Sequence, residues 1–482
     1  MVIRFLNRLY IPPLQCAALG TAAGFYFLFN VHIAAAIAFL IVLLAAFFAL
    51  FVLNLRITAV CAAAFTIGLV LGFCAANAGR NDINFGIPVN NVIAVEGVLL
   101  EDPRIVSSGS VMALLSLKQC AGSGGLRVTS SGEITVFFPQ ESAQKLREFG
   151  RGTTVFAEGA VRLQERGYSI SARSLHIVKP ASALEKIRTN IRLNLISRFS
   201  DKSWGGLALA LLLGVRDNLD SDFTSLYRGA GLSYILALSG MHLAIITALI
   251  SFLLKKPLGL KAAAITGAVF IIFYCLLVGP MPSLNRAALM YIIGILAILG
   301  ALPKNTMSIL ALSFLIQLIV TPAAGNSLSF ILSYLALAGI LLIGQPLSSF
   351  FKGKLPDFIL QPLCISVGAF LATAGVCSFT FGIIAPVGII AGLVIVPLTT
   401  VFMIGSIIFL VFDILSLSFL FDLPLSFVYW LMELTASIAG NVTPISLNGA
   451  LILFMSLVIS LSVIILEHRR RAALLKLEPF LC

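Results

Sequence analysis

The stretch G-L-S-Y-I-L-A-L-S-G-M-H-L-A-I-I-T-A-L-I-S-F-L-L-K-K, residues 231–256, runs from Gly231 to Leu254 with no acidic, lysine or arginine side chain before it meets Lys255 and Lys256. A helix crossing a hydrocarbon layer about 30 Å thick needs about 20 apolar residues, and this run supplies them. Residues 33–53, 261–279 and 447–466 repeat the pattern. Apolar residues make up 59% of the 482 and charged ones 11%. A water-facing protein carries about a quarter charged residues, so the bilayer is the main solvent here. The expected fold is an α-helical polytopic membrane protein of about eleven transmembrane helices.

The formal net charge of +12 invites a nucleic-acid reading. Placement of the charges explains most of it by topology instead. Lys255, Lys256 and Lys261 share one short loop, Lys304 lies further on, then Lys352 and Lys354, and Arg469, Arg470, Arg471 and Lys476 follow the last apolar run. The positive-inside rule puts all of these on the cytoplasmic face. Arg4 and Arg8 precede a first run that reads as a retained anchor, with Pro12 and Pro13 before it. Spans at 14–29, 33–53 and 57–76 within an N-terminal unit 1–77 then deliver the chain outside at Asn77, and one crossing at 231–254 returns it to Lys255. Both termini are expected in the cytoplasm, with 468–482 as a basic tail.

Between these helices lies a segment of different character. V-I-A-V-E-G-V-L-L from Val92, V-M-A-L-L-S-L from Val111, G-E-I-T-V-F-F from Gly132, G-T-T-V-F-A-E-G-A-V from Gly152 and Y-S-I-S-A-R-S-L-H-I-V from Tyr168 are rich in β-branched residues and punctuated by Gly and Ser. With a short helix at Glu141–Phe149, residues 78–182 predict an inserted all-β, OB-like barrel on the extracytoplasmic side. From Arg80 to Lys179 there are 11 basic and 9 acidic residues, a balance that gives a nucleic-acid platform little electrostatic help. Phe137, Phe138, Phe149, Phe156 and Tyr168 could stack on bases, but such residues more often fill a barrel. Cys120 is alone there, so no internal disulfide forms.

Residues 183–204 read as a basic amphipathic interfacial helix: Leu184, Ile187, Ile191, Leu195 and Phe199 recur at helical spacing, with Lys186, Arg188, Arg192, Arg198 and Lys202 between them. It could anchor to headgroups or guide a polyanion. The remainder, 205–467, is the main helical unit.

His32, His176, His242 and His468 make no local metal pair, and neither a phosphate loop nor an H-E-x-x-H motif occurs. No cofactor is expected, and any energy source lies elsewhere. The residues that draw attention are polar ones in oily segments. Residues 229–244 place Gly231, Ser233, Tyr234, Ser239, Gly240 and His242 at membrane depth, where polar groups normally face a cavity or another helix. Ser239 and His242 share a helix face. Small residues also serve plain helix contact, and His242 is what tips the reading toward a polar passage. A second segment, G-P-M-P-S-L-N-R from Gly279, sets Ser283 and Arg286 one turn inside an apolar span. An unpaired central arginine costs about 2.5–3.5 kcal/mol, so it should snorkel or line a hydrated path.

G-L-S-Y-I-L-A-L-S-G-M-H from Gly231, then Pro282, Ser283, Leu284, Asn285 and Arg286, resembles the competence domain of ComEC-type DNA-uptake channels. F-I-L-S-Y-L-A-L-A-G-I from Phe330, containing Ser333 and Tyr334, looks like that family's next polar motif, and G-I-I-A-P-V-G-I-I-A-G-L-V-I-V-P-L from Gly382 like its late Gly/Pro-rich span. The resemblance implies an inner-membrane channel for single-stranded DNA during natural transformation, with Ser233, Ser239, Gly240, His242, Ser283, Arg286, Ser333 and Tyr334 along the path. It also implies a cytoplasmic ATPase, a periplasmic DNA receptor and a separate nuclease as partners. Three departures stand out: Tyr234 where many relatives have histidine, Ile331 where they have glutamine, and no metallo-β-lactamase-like domain with its H-x-H-x-D-H ligands. Two other functions are compatible with the residues: a transporter of a small or lipid-like solute, and an intramembrane hydrolase using Ser239 and His242, which lacks a G-x-S-x-G elbow.

Overall fold

The computed structural model describes residues 13–26, 56–79, 83–106, 109–122, 126–164, 167–300, 305–446 and, with single-residue gaps, 449–465. The expected span at 33–53, Arg4, Arg8, His32 and the basic tail lie outside the described residues.

Helices α1 (Pro13–Tyr26) and α2 (Arg56–Ala78) pack closely together. Gly20 and Gly24 of one meet Gly68 and Gly72 of the other so tightly that a Cβ on Gly68 would lie 2.1 Å from the Ala17 carbonyl oxygen. This is the small-xxx-small contact that lets backbones touch in lipid. Phe25 and Ala76 carry the pair onto Phe314 and Leu318 of the main bundle, and Tyr26 donates to the Gly325 carbonyl at 2.8 Å.

The soluble domain is a barrel of five principal strands: β1 (Val92–Leu99), β3 (Val111–Gly122), β5 (Glu133–Phe138), β6 (Thr154–Gln164) and β7 (Gly167–Lys179). Short strands β2 (Arg104–Ile105) and β4 (Arg127–Thr129) add to β3. The order β1-β6-β7-β5-β3 closes through β3–β1, with β5–β7 the single parallel pair. This is the OB arrangement, and helix α3 (Ala143–Phe149) sits between the third and fourth principal strands, with Leu146 fully buried. Strands alternate because one face fills the barrel: β5 buries Ile134, Val136 and Phe138 in turn. A tight barrel must bend its strands, and register breaks at Gly97 and Gly159 do so. At Gly159 a side chain would strike the Ser171 carbonyl at 2.2 Å. Phe138 is core, Tyr168 packs edge-on against Phe85, and no aromatic is among the large exposed apolar residues of the described barrel.

Helix α4 (Ala183–Ser200) leads into the bundle: α5 (Gly205–Leu213), α6 (Ser221–Gly229), α7 (Ser233–Leu236), α8 (Gly240–Val278), α9 (Pro282–Leu299), α10 (Thr306–Val320), α11 (Leu328–Gly339), a π turn, α12 (Gln345–Phe350), α13 (Asp357–Phe381), α14 (Val387–Ile414) and α15 (Phe419–Gly440). Among the described residues six helical stretches are long and apolar enough to cross a membrane: 240–257, 282–299, 328–350, 357–381, 387–414 and 419–440. Four shorter apolar helices accompany them, at 63–78, 262–278, 306–320 and 449–460. The protein is a multi-pass membrane protein with a β barrel inserted.

Two details revise the expected spans. The run 231–254 is not one helix: Gly231 takes positive φ and Ala237 is extended, so α7 stops and a new helix starts at Gly240. Helix α8 is itself a hairpin, broken at Pro257 and Gly259 (φ 77°). Ser283, just after its return, donates to the Leu238 carbonyl just before its departure, at 2.6 Å. Lys255 and Lys256 therefore sit at the far end of two helical legs, about 25 Å from that contact at 1.5 Å per residue.

Candidate functional site

The helix starting at Gly240 opens with a reciprocal cap. Ser239 is extended, its backbone N–H donates to His242 Nδ1 at 3.0 Å, and its hydroxyl lies 3.0 Å from the same nitrogen. Accepting from an N–H fixes the tautomer, so the His242 proton sits on Nε2. His242 is fully buried and Nε2 has no hydrogen-bond partner in the structure. The contact between Ser239 and His242 is thus spent on a helix start. Among the described residues no carboxylate is bonded to the imidazole.

Opposite this cap, α9 begins at Pro282, which the fixed φ of proline suits to a first turn. Arg286 is 8% exposed. Its Nη1 donates to the Ser333 carbonyl at 2.5 Å, its guanidinium carbon stands 5.8 Å from the Tyr334 ring centre, and Nε is unpartnered. A Cβ added to Gly240 would come 3.2 Å from Arg286 Nη2 and would press on the guanidinium by a few tenths of an ångström. Tyr334 donates to Gln317 Oε1 at 2.9 Å, near Ser313, and Gln317 Nε2 donates to the Pro282 carbonyl at 3.0 Å.

The structure thereby gathers Ser239, Gly240, His242, Ser283, Arg286, Ser333 and Tyr334 into one buried polar seam where α8, α9, α10 and α11 meet. Ser333 contributes its carbonyl rather than its hydroxyl. Ser233 stands apart: it is exposed at the start of α7 and bonds to none of these groups. Gln317 and Ser313 belong to the seam although sequence reasoning passed over them, since a lone polar residue in an apolar run names no partner. Tyr234 is half-exposed, with its hydroxyl 2.9 Å from where Gly392 would carry a Cβ. Gly231 lies under Ala385 and Gly388, so the first and last of the four motif segments touch.

A family profile described as "Competence protein" matches residues 211–470, more than half of the chain. The chain belongs to the competence protein family. An uncharacterized protein of Aquifex aeolicus (strain VF5) is 28% identical over 306 residues, covering 62% of this chain and 68% of its own. "ComE operon protein 3" of Bacillus subtilis (strain 168) is 30% identical over 134 residues, 27% of this chain and 17% of that protein. All four motif segments fall within the matched region, and the family points to a role in competence and DNA uptake.

A second group of charges lies where the barrel meets the bundle of this competence-family protein. Asp102, beside Pro103 on the barrel, accepts from Arg188 Nη1 and Nη2 at 3.0 and 2.6 Å and from the Arg151 backbone N–H at 3.1 Å, with Arg192 Nε 3.3 Å away. Arg151 pairs with Glu185 at 2.5 Å. Arg188 also donates to the carbonyls of Leu276, Leu277 and Val278, and Arg192 to that of Val278, so both fill the empty acceptors at the C-terminal end of α8. Burial alone would raise the Asp102 carboxyl, but the Arg188 hydrogen bonds and the charges of Arg192 and Arg188 hold it below its ordinary value. Further along α4 Arg198 pairs with Asp413, and just past its end Lys202 pairs with Asp422. A helix forms over Ala183–Ser200 within the expected 183–204, but four of the five singled-out cations, Arg188, Arg192, Arg198 and Lys202, are engaged by acids of the fold, while Leu184 and Ile187 face outward. An apolar stripe with intervening arginines reads the same whether the arginines meet water or a buried aspartate.

Proposed function

We propose that this protein conducts single-stranded DNA across the cytoplasmic (inner) membrane during natural transformation. The observation that carries the proposal is the polar seam buried inside the competence-matched helices. It lies near the end of the bundle that bears the barrel, since Leu238 and Ser283 flank the same α8–α9 junction that Arg188 grips from the barrel side. Lys255 and Lys256 stand at the opposite end of the hairpin, and the positive-inside rule makes that end cytoplasmic and the barrel extracytoplasmic. The barrel receives the strand, and Ser239, Gly240, His242, Ser283, Arg286, Ser333 and Tyr334 border its route, with Ser233 at the outer margin. Arg286 offers transient, charge-assisted contact to phosphates. Force comes from a cytoplasmic ATPase, delivery from a periplasmic DNA receptor, and removal of the complementary strand from a separate nuclease.

The test is uptake of labelled single-stranded DNA by cells carrying wild-type protein or the Arg286→Ala or His242→Leu variants at matched abundance. Internalised label falling in both variants supports the conduit. No transport by wild type with the partner ATPase supplied contradicts it and favours a solute transporter on the same scaffold.

A further inference from the structure

The molecule contains its own control for what a buried arginine requires. Arg188 and Arg286 are the two arginines among the described residues that are more than nine-tenths buried, at 7% and 8% exposure. Arg188 has a bidentate carboxylate and three backbone carbonyls. Arg286 has one carbonyl, one aromatic face and an unpartnered Nε, with no acid among the described residues in ion-pair contact. A guanidinium out of water needs a counter-charge, and burying one without a partner is strongly unfavourable. The surroundings add to the positive potential. Nη2 faces the start of α8 at Gly240, and Arg286 itself sits near the start of α9, so the positive ends of two helices converge on it. The α8 cap uses the N–H groups of Ser239 and His242, while those of Gly240 and Met241 take no partner among the described residues.

We infer that Arg286 and the Gly240 helix start form a binding site for one phosphate-type oxyanion. The ligand is the phosphodiester of a water-borne strand. The anion sits against Arg286 Nε and Nη2 and the free N–H groups at Gly240 and Met241, a combination that suits the tetrahedral oxygens of a phosphate. The inference deepens the conduit reading and names the step at which a strand would dwell, yet binding of a free anion does not depend on transport.

The test uses the purified full-length protein in nanodiscs of neutral phosphatidylcholine. Inorganic phosphate at constant ionic strength, with chloride as the reference, should raise the melting temperature of wild type by a few degrees. Arg286→Gln should abolish the shift, and without phosphate it should melt no lower than wild type because it removes an uncompensated charge. Gly240→Ala, whose Cβ would stand 3.2 Å from Nη2, keeps the charge but crowds the site, and should weaken phosphate binding about tenfold. A short oligothymidylate should displace the phosphate. Equal shifts in wild type and both variants, or no shift over chloride in wild type, overturn the site. Displacement by added phosphatidylglycerol but not by the oligonucleotide overturns the water-borne ligand in favour of a lipid headgroup. Phosphate binding with failed DNA uptake leaves the site standing and removes only the conduit.

Discussion

Asp102→Asn isolates the attachment of the barrel to the bundle. Asparagine preserves the shape and one acceptor oxygen but removes the charge that Arg188 and Arg192 share. Arg188 is 7% exposed and Asp102 22%, so the pair is screened little by water. Breaking such a pair from one side costs about 3–5 kcal/mol. Arg188 retains the carbonyls of Leu276, Leu277 and Val278, which places the loss near the lower end, about 3 kcal/mol, or roughly a hundredfold in the docking equilibrium. Hydrogen exchange read by mass spectrometry should show residues 183–192 and 276–281 opening about a hundredfold more often, with strand β5 in the barrel core unchanged. Adding Arg188→Gln should recover part of the loss, because the uncompensated cation is then gone. Unchanged exchange at 276–281, or an equal rise in β5, would show that Asp102 supports the barrel itself and not its attachment.

Acid should act through the same carboxylate. Its folded value is depressed, so its stabilising contribution is complete above the ordinary carboxylate pKa of about 3.9 and fades as pH falls through the lower folded value; the protection of 276–281, taken relative to the intrinsic exchange rate at each pH, should be flat from neutral pH to about 4.5 and fall below that. Gly68→Leu should part α1 from α2, since even a Cβ would overlap the Ala17 carbonyl at 2.1 Å, and a loss of at least about 1–3 kcal/mol is expected from overpacking. Melting of the detergent-purified variant checks this, and a value equal to wild type would deny the close contact.

The barrel was legible because its strands sit in water. Alternation of β-branched residues is then set by one wet and one dry face, and the five runs and the short helix fall where the pattern puts them. Apolar helices were legible from hydropathy, although the run 231–254 is broken before Gly240, and the loop between the two legs of α8 was legible from its lysines. What the sequence hid were partners. Asp102 lies 86 residues from Arg188, so local spacing could not pair them. Gln317 and Ser313 are single polar residues in an apolar run, where hydropathy registers nothing. Ser333 looked like a hydroxyl and serves through its backbone. The break at 237–239 was masked because Ala237 and Leu238 are as apolar as a helix would be, and only Gly231, Ser239 and Gly240 hinted at it.

In the proposed conduit a DNA strand passes the seam between α8 and α9. A photo-crosslinking residue at Met241, beside the Arg286 site, with a control at Phe252, which is 76% exposed on the outside of the hairpin, tests it in cells importing DNA. Strand-specific crosslinks are expected from position 241 and none from 252. Crosslinks from neither position in cells that do take up DNA, or equal yields from both, would contradict it.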